Sequence, residues 1–375
     1  MRPATVTAAA VTTILGLGAA AVAAGRYACD AALGAPSGGP LPTDRRITVH
    51  ATAAGQVTLT RSFAALRPGT YGLVADDVHA VVGPVIEHAR HAPDTVVRRL
   101  ERVTRGSLET GAKVRITPQL HSGDPSSALG LEYREVEIPG ELGALPAWFL
   151  PGPRDTWVIT VHGLGTTREH PMNVMEFLHD LRLPVLDLAY RGDAGAPRSP
   201  DGLAHLGASE WHDLDAAIRF AVRYGAEKVV LHGWSTGASM ALHAAVNSAL
   251  RNRICGLVLD SPVLDRATTL RALAVARGVP TALLPLAVRA APGQTGLRGA
   301  RLLDGSLVPA LHVPTLIFHG PDDTLAPWQP SRDLAARRPD LVALRAVPQA
   351  PHGAMWNADP LHYEEALRRF LTPLM

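Results

Sequence analysis

The sequence predicts an α/β fold on a mostly parallel sheet, preceded by a small β-rich module. From about Leu131 onward, short apolar runs alternate with loops and helical patterns, the arrangement that gives parallel strands joined by crossover helices. Upstream, from about 45 to 120, short β-branched segments recur between turn residues with no helical period. With 375 residues, 47% of them hydrophobic, the chain exceeds one ordinary domain and can bury a substantial core.

The first element is an uncharged stretch from Thr5 to Ala24, flanked by Arg2 and Arg26. Its length, about 20 residues, suits a bilayer span, although Ala, Gly and Thr make it weakly hydrophobic. Residues 1–26 are therefore expected to be a membrane anchor, with a secretory signal cut after the small residues Ala21 to Ala23 as the second reading. Either reading puts the remainder outside the cytoplasm if the N-terminus stays inside. Residues 27–44 read as a linker, because Ala35 to Asp44 is dense in Pro and Gly. Cys29 and Cys255 stand far apart and outside any Cys/His cluster, which excludes a disulfide framework and a zinc motif.

The β-rich module is expected over 45–125, with strands at Ile47–His50, Val57–Thr60, Tyr71–Val74, Ala80–Gly83, Thr95–Val103 and Lys113–Ile116. No chemistry is legible in it. The larger domain, 126–375, opens with an antiparallel pair, Glu132–Ile138 and Pro146–Leu150. Buried parallel strands follow at Trp157–Val161, Pro184–Leu188, Lys228–His232, Gly256–Asp260, Pro314–Phe318 and Leu341–Val347. The clearest helix is expected to start at Ser209 as cap and carries Leu214, Ala217, Ile218 and Ala221 on one face. The Leu/Ala-rich segment 264–311, broken by Pro280, Pro285 and Pro292, is long enough to be a helical cap over a site. Its apolar content points towards a hydrophobic substrate. With 36 basic and 34 acidic side chains, a formal charge of +2 and only two lysines, nothing favours nucleic acid as a partner.

The chemistry clusters at strand ends, where open sheets of this kind bind ligands. Gly233-Trp234-Ser235-Thr236-Gly237 follows an apolar run and precedes a helical one. Small residues two before and two after the serine allow a sharp strand-to-helix turn that lifts the Ser235 hydroxyl clear of the backbone. A serine nucleophile needs a base, and the base needs an orienting carboxylate. Downstream, the strand at Pro314–Phe318 runs into His319-Gly320-Pro321-Asp322-Asp323. Asp323 is the preferred acid, with Asp322 as rival, better suited to stabilising a turn, and Asp260 as third choice. His352, in Ala350-Pro351-His352-Gly353, is the first histidine past the final strand and the expected base. Backbone N–H groups of Thr236 and of Leu164, in His162-Gly163-Leu164-Gly165, are the expected oxyanion donors. Tyr190-Arg191-Gly192-Asp193 reads as a structural Arg–Asp pair, with pocket lining as the second reading, Trp356 as a wall beneath the base, and His362 as a helical residue facing solvent or packed. No metal or cofactor is expected.

These residues together resemble the α/β-hydrolase superfamily over about Glu132 to Met375, nearest to its serine aminopeptidase/lysophospholipase-like and prolyl-oligopeptidase-like branches. The chain also resembles bacterial membrane-anchored hydrolases with a β-rich N-terminal extension. The resemblance implies Ser235, Asp323 and His352 as a triad and Leu164 and Thr236 as oxyanion donors. Ala238 stands where many such peptidases have a second glycine, and no HGGG run is present. The expected activity is hydrolysis of a carboxylic ester or thioester, a small-molecule substrate, through an acyl-serine. Cleavage of short peptides and a non-catalytic binding role are the alternatives.

Overall fold

The computed structural model describes residues 22–34, 41, 45–295 and 307–375. Residues 22–33 are helical (α1). Strands β1 (Ile47–Ala53), β2 (Gln56–Thr60), β3 (Tyr71–Val74), β4 (His79–Val85), β5 (Thr95–Arg105) and β6 (Lys113–Thr117) form a closed barrel in the order β1-β2-β5-β4-β3-β6. A single short helix, α2 (Phe63–Leu66), links β2 to β3. Alternation along the strands turns Val49, Val57, Leu59, Leu73, Ala80, Val82, Val96 and Val114 into one buried cluster. Closure, which pairs Ile47 with Val114, removes the exposed edges that so small a sheet would otherwise present. Arg98 is fully buried and donates to four main-chain carbonyls, those of Gly83, Ala65, Arg67 and Gly69. It thereby ties α2 and the turn after it to the barrel.

After α3 (Pro125–Leu129) comes an eight-stranded sheet, ordered β14-β13-β12-β11-β9-β10-β8-β7. Its strands are β7 (Arg134–Pro139), β8 (Ala144–Leu150), β9 (Thr156–Val161), β10 (Val185–Leu188), β11 (Lys228–Trp234), β12 (Ile254–Asp260), β13 (Thr315–His319) and β14 (Val342–Ala346). The two opening strands are antiparallel, and β10, β9, β11, β12, β13 and β14 run parallel. The helices are α4 (Met172–Asp180), α5 (Trp211–Arg223), α6 (Thr236–Asn247), α7 (Arg266–Ala276), α8 (Leu284–Thr295), α9 (Leu307–Ala310), α10 (Gln329–Arg337), α11 (Met355–Ala358) and α12 (Pro360–Leu371). Two apolar clusters cover the sheet's faces. One joins α5 and α6 through Leu214, Ile218 and Leu242, and the other joins α4 and α12 through Val174, Leu178 and Leu367.

The barrel is stitched to this domain by buried amides. The Asn357 side chain donates to the carbonyls of Thr70 and Pro118, both at 2.9 Å, and its main-chain carbonyl accepts from Thr70 N at 3.0 Å. Asn173 donates to Pro118 O at 2.8 Å and accepts from Leu120 N at 3.3 Å. Gly69 has φ +93°, and a Cβ there would lie 2.0 Å from Asn357 O, so this join needs glycine.

Some expectations are corrected. The first part of the expected linker is not one: α1 buries Ala28, Cys29, Ala32 and Leu33 against Leu206, Val263, Leu270 and Leu273. Ser209 caps nothing. The residue at the start of α5 is Glu210, whose carboxylate instead accepts from the N–H groups of His205 and Gly207 in the preceding turn. Among the described residues no helix is long and apolar enough to cross a membrane. The apolar stretch from Thr5 lies outside the described residues except for its last three positions, 22–24.

Candidate active site

Ser235 follows β11 directly and precedes α6, with φ 53° and ψ −113°, a backbone region costly for any residue with a Cβ. Its neighbours hold it there. Its N–H donates to Asp260 O at 2.8 Å on the adjoining strand. A Cβ on Gly233 would meet Gly237 C at 2.4 Å, and one on Gly237 would meet Val161 O at 2.2 Å. The spacing of small residues is thus dictated by the helix on one side and the strand on the other.

Three separate stretches of chain meet at this turn. His352 Nε2 lies 2.6 Å from Ser235 Oγ, and His352 Nδ1 lies 2.7 Å from Asp323 Oδ2. The other oxygen of Asp323 accepts from the N–H groups of Leu325 and Ala326, both at 2.9 Å. His319, fully buried, adds a contact of 3.1 Å from Nε2 to Asp323 Oδ2. That same nitrogen faces Ala326 O, an acceptor only, so it carries the proton, and Nδ1 accepts from Ser331 Oγ at 2.8 Å. Burial works to raise the Asp323 pKa, but the charge of His352 and the bonds from both histidines overcome it and hold the carboxyl well below the ordinary range. It is a carboxylate at any physiological pH.

The rival acids do other things. Asp322 accepts from Gln349 N at 2.7 Å, bracing the loop ahead of His352. Asp260 is fully buried and accepts from Ser261 Oγ at 2.8 Å, and Ser261 Oγ in turn accepts from Gly353 N at 2.9 Å. Desolvation raises Asp260 to about 7. It buttresses the His352 loop from behind without touching His352 in any described hydrogen bond.

Leu164 and Gly163 lie beside the serine: a Cβ on Gly163 would come within 2.7 Å of Ser235 Cβ. The carbonyl of Gly163 faces His162 Nδ1 at 2.9 Å and accepts from Thr166 Oγ1 at 3.0 Å and Thr166 N at 3.3 Å. A trans peptide sets N–H opposite C=O, so pinning that carbonyl turns the Leu164 N–H the other way. Thr236 opens α6, where first-turn N–H groups have no intrahelical acceptor.

Several contributors were not legible in sequence. His162 Nε2 lies 2.8 Å from Asp193 Oδ2 and stacks on Tyr190, which fixes the glycine loop. Arg191 pairs bidentately with Asp213, not Asp193, at 2.8 and 2.7 Å. Trp356 packs into the cluster beneath α12 and donates to Glu364 at 3.0 Å, and it is absent from the described wall of the cavity at Ser235. His362 is exposed and pairs with Asp359.

Two cavities flank the Gly163–Thr166 loop. One, about 430 Å³, holds Ser235, His352 and His170, and its far wall is the barrel: Ile47, Ser62, Phe63, Ala64, Arg67, Tyr71 and Ile116. The other, about 290 Å³, reaches Thr236, Tyr190 and Arg198. No described residue of 264–311 lines either cavity, although its described part carries α7, α8 and α9. Over the described residues, the element covering Ser235 is the barrel and not the expected cap.

A family model described as a domain of unknown function, DUF8805, matches residues 48–117, the span of the barrel. The uncharacterized protein YfhR of Escherichia coli O157:H7 is 24% identical over 241 residues, 62% of this chain and 76% of that one. Among solved structures, an esterase of Pyrococcus furiosus aligns at a TM-score of 0.56 with 24% identity, covering 67% of this chain and 94% of its own. A serine hydrolase of Xanthomonas campestris, described as lacking a lid, aligns at 0.46 with 17% identity over 65% of this chain and 95% of its own. What the first of these structures shares with this chain is architecture: the domain after the barrel has an α/β-hydrolase-like fold.

Proposed function

We propose that the protein hydrolyses carboxylic esters or thioesters through an acyl intermediate on Ser235. The observation that carries this reading is the unbroken run of contacts from Asp323 through His352 to Ser235. With Nδ1–H donated to Asp323, His352 keeps a lone pair on Nε2 to take the Ser235 proton as Oγ attacks the carbonyl. The developing oxyanion sits against the N–H groups of Leu164 and Thr236. His352 then returns its proton to the departing alcohol or thiol, and water repeats the sequence to release the acid. The Pyrococcus furiosus protein being an esterase favours ester over amide cleavage.

The test is hydrolysis of short p-nitrophenyl esters against aminoacyl p-nitroanilides by the wild type and Ser235→Ala. Ester turnover that vanishes in the variant is the expected result. Turnover surviving in Ser235→Ala, or anilide cleavage outpacing ester cleavage, contradicts the reading. The anchor at residues 1–26 is part of the proposal and places this chemistry at the outer face of a membrane. Release of the full-length chain by high salt alone would contradict that part.

A further inference from the structure

The barrel has no chemistry of its own, yet its end faces the nucleophile. Tyr71 and Ile47 belong to the barrel's buried cluster, Ile116 packs against it, and all three line the cavity that contains Ser235 and His352. On the opposite wall stand Leu164, Trp234 and Leu325. The wall is built, not a chance approach of two bodies. Asn357 and Asn173 fasten the barrel by buried hydrogen bonds, and Ala354, two residues after His352, is buried in the barrel's own core cluster.

Reaction chemistry assigns the cavity an occupant. In acylation the protonated base hands its proton to the leaving oxygen, so the leaving group must lie beside His352 Nε2. His352, Pro351 and Gly353 line the barrel-side cavity, whereas the cavity across the Gly163–Thr166 loop reaches Thr236 and has none of them among its described residues. We infer that the barrel is the leaving-group half of the active site, and that it selects esters of bulky, apolar alcohols or phenols. This rests on the acyl-serine reading above. The cavity's volume, about 430 Å³, falls in the range typical of small-molecule sites. The lining is mainly apolar, and its described charged side chains are Arg45 and Arg67, with no carboxylate. A neutral alcohol therefore suits it better than a cationic one.

Two variants move selectivity in opposite directions. Ala64→Trp fills the cavity from α2, and Ile116→Ala enlarges it from β6. The substrates are acetates of ethanol, benzyl alcohol and 2-naphthylmethanol, and methyl esters of acids from acetate to octanoate. Ala64→Trp should cut kcat/KM for the naphthylmethyl ester at least tenfold more than for the ethyl ester, and Ile116→Ala should shift preference towards the larger alcohol. The acyl-length profile should keep its shape in both. Deacylation, measured on a common acetyl-enzyme, should show no dependence on which alcohol has left. A changed acyl-length profile with an unchanged alcohol profile would place the acyl group against the barrel and overturn the inference, as would no change in either. A wild type inert towards all esters and unlabelled at Ser235 by a fluorophosphonate would overturn the acyl-serine reading itself, a result distinct from active enzyme with unaltered selectivity.

Discussion

Asp323 gathers four contacts on two oxygens, and each limits what can replace it. Asparagine would fill the space, but its amide in place of Oδ2 would present hydrogens to His352 Nδ1 and favour the wrong tautomer. Asp323→Asn is expected to lower kcat by about 10³–10⁴ with little change in KM, read from steady-state kinetics. An unchanged kcat would deny this carboxylate its orienting role. Gly237 is as constrained sterically: a methyl group 2.2 Å from Val161 O forces strand and helix apart. Gly237→Ala should cost about 1–3 kcal/mol in urea unfolding and disrupt the turn at Ser235. Both residues were legible in the sequence, because order along the chain and the need for small side chains fix them. The His319 contact to Asp323 was not: 16 histidines are present, and nothing local distinguishes a histidine that braces a carboxylate from one that fills a core.

Within the elements, strand ends carry buried acids whose charge is not compensated alike. Asp187, at the end of β10, is fully buried, accepts from Thr160 Oγ1 at 2.7 Å, and has no described protein partner on its other oxygen. Desolvation raises it to about 7. Between about pH 4, the unfolded carboxyl value, and about 7 the native state keeps a proton that the unfolded chain has lost. Stability from this group therefore falls as pH rises through that window. Asp187→Asn is expected to flatten the loss between pH 5 and pH 8, read as urea midpoints at the two values. A steeper loss in the variant would contradict the assignment. Asp323 has the opposite sign: its contribution is complete above about pH 4 and is lost only as pH falls towards its depressed native value. Apolar runs marked out β9 to β13 well, since burial on both faces needs little else, whereas β14, expected as buried, is a mostly unburied edge strand. The start of α5 was misplaced at Ser209 because a cap signal is local, while the Glu210 carboxylate is claimed by the turn before it.

Over the whole molecule, barrel and hydrolase-like domain meet at a join that is buried and polar. Asn357 is fully buried, and losing its side chain would take the amide donor from the carbonyl of Thr70 and leave that of Pro118 to Asn173 alone. Asn357→Ala should cost about 1–3 kcal/mol and, since α11 follows the His352 loop, lower kcat more than it raises KM. A variant of wild-type stability, or one losing only substrate affinity, would show the join to be incidental. No periodicity or motif could reveal that residues 47–116 stand over a serine more than a hundred positions away. Length favoured 264–311 as cover, but length says nothing of where a segment docks. The account stands most directly on the reactivity of one hydroxyl. A fluorophosphonate probe, followed by mass spectrometry of the peptides, should modify Ser235 stoichiometrically in the wild type, and should modify it far more slowly in His352→Ala. Modification elsewhere, or labelling of Ser235 at the same rate without His352, would contradict it.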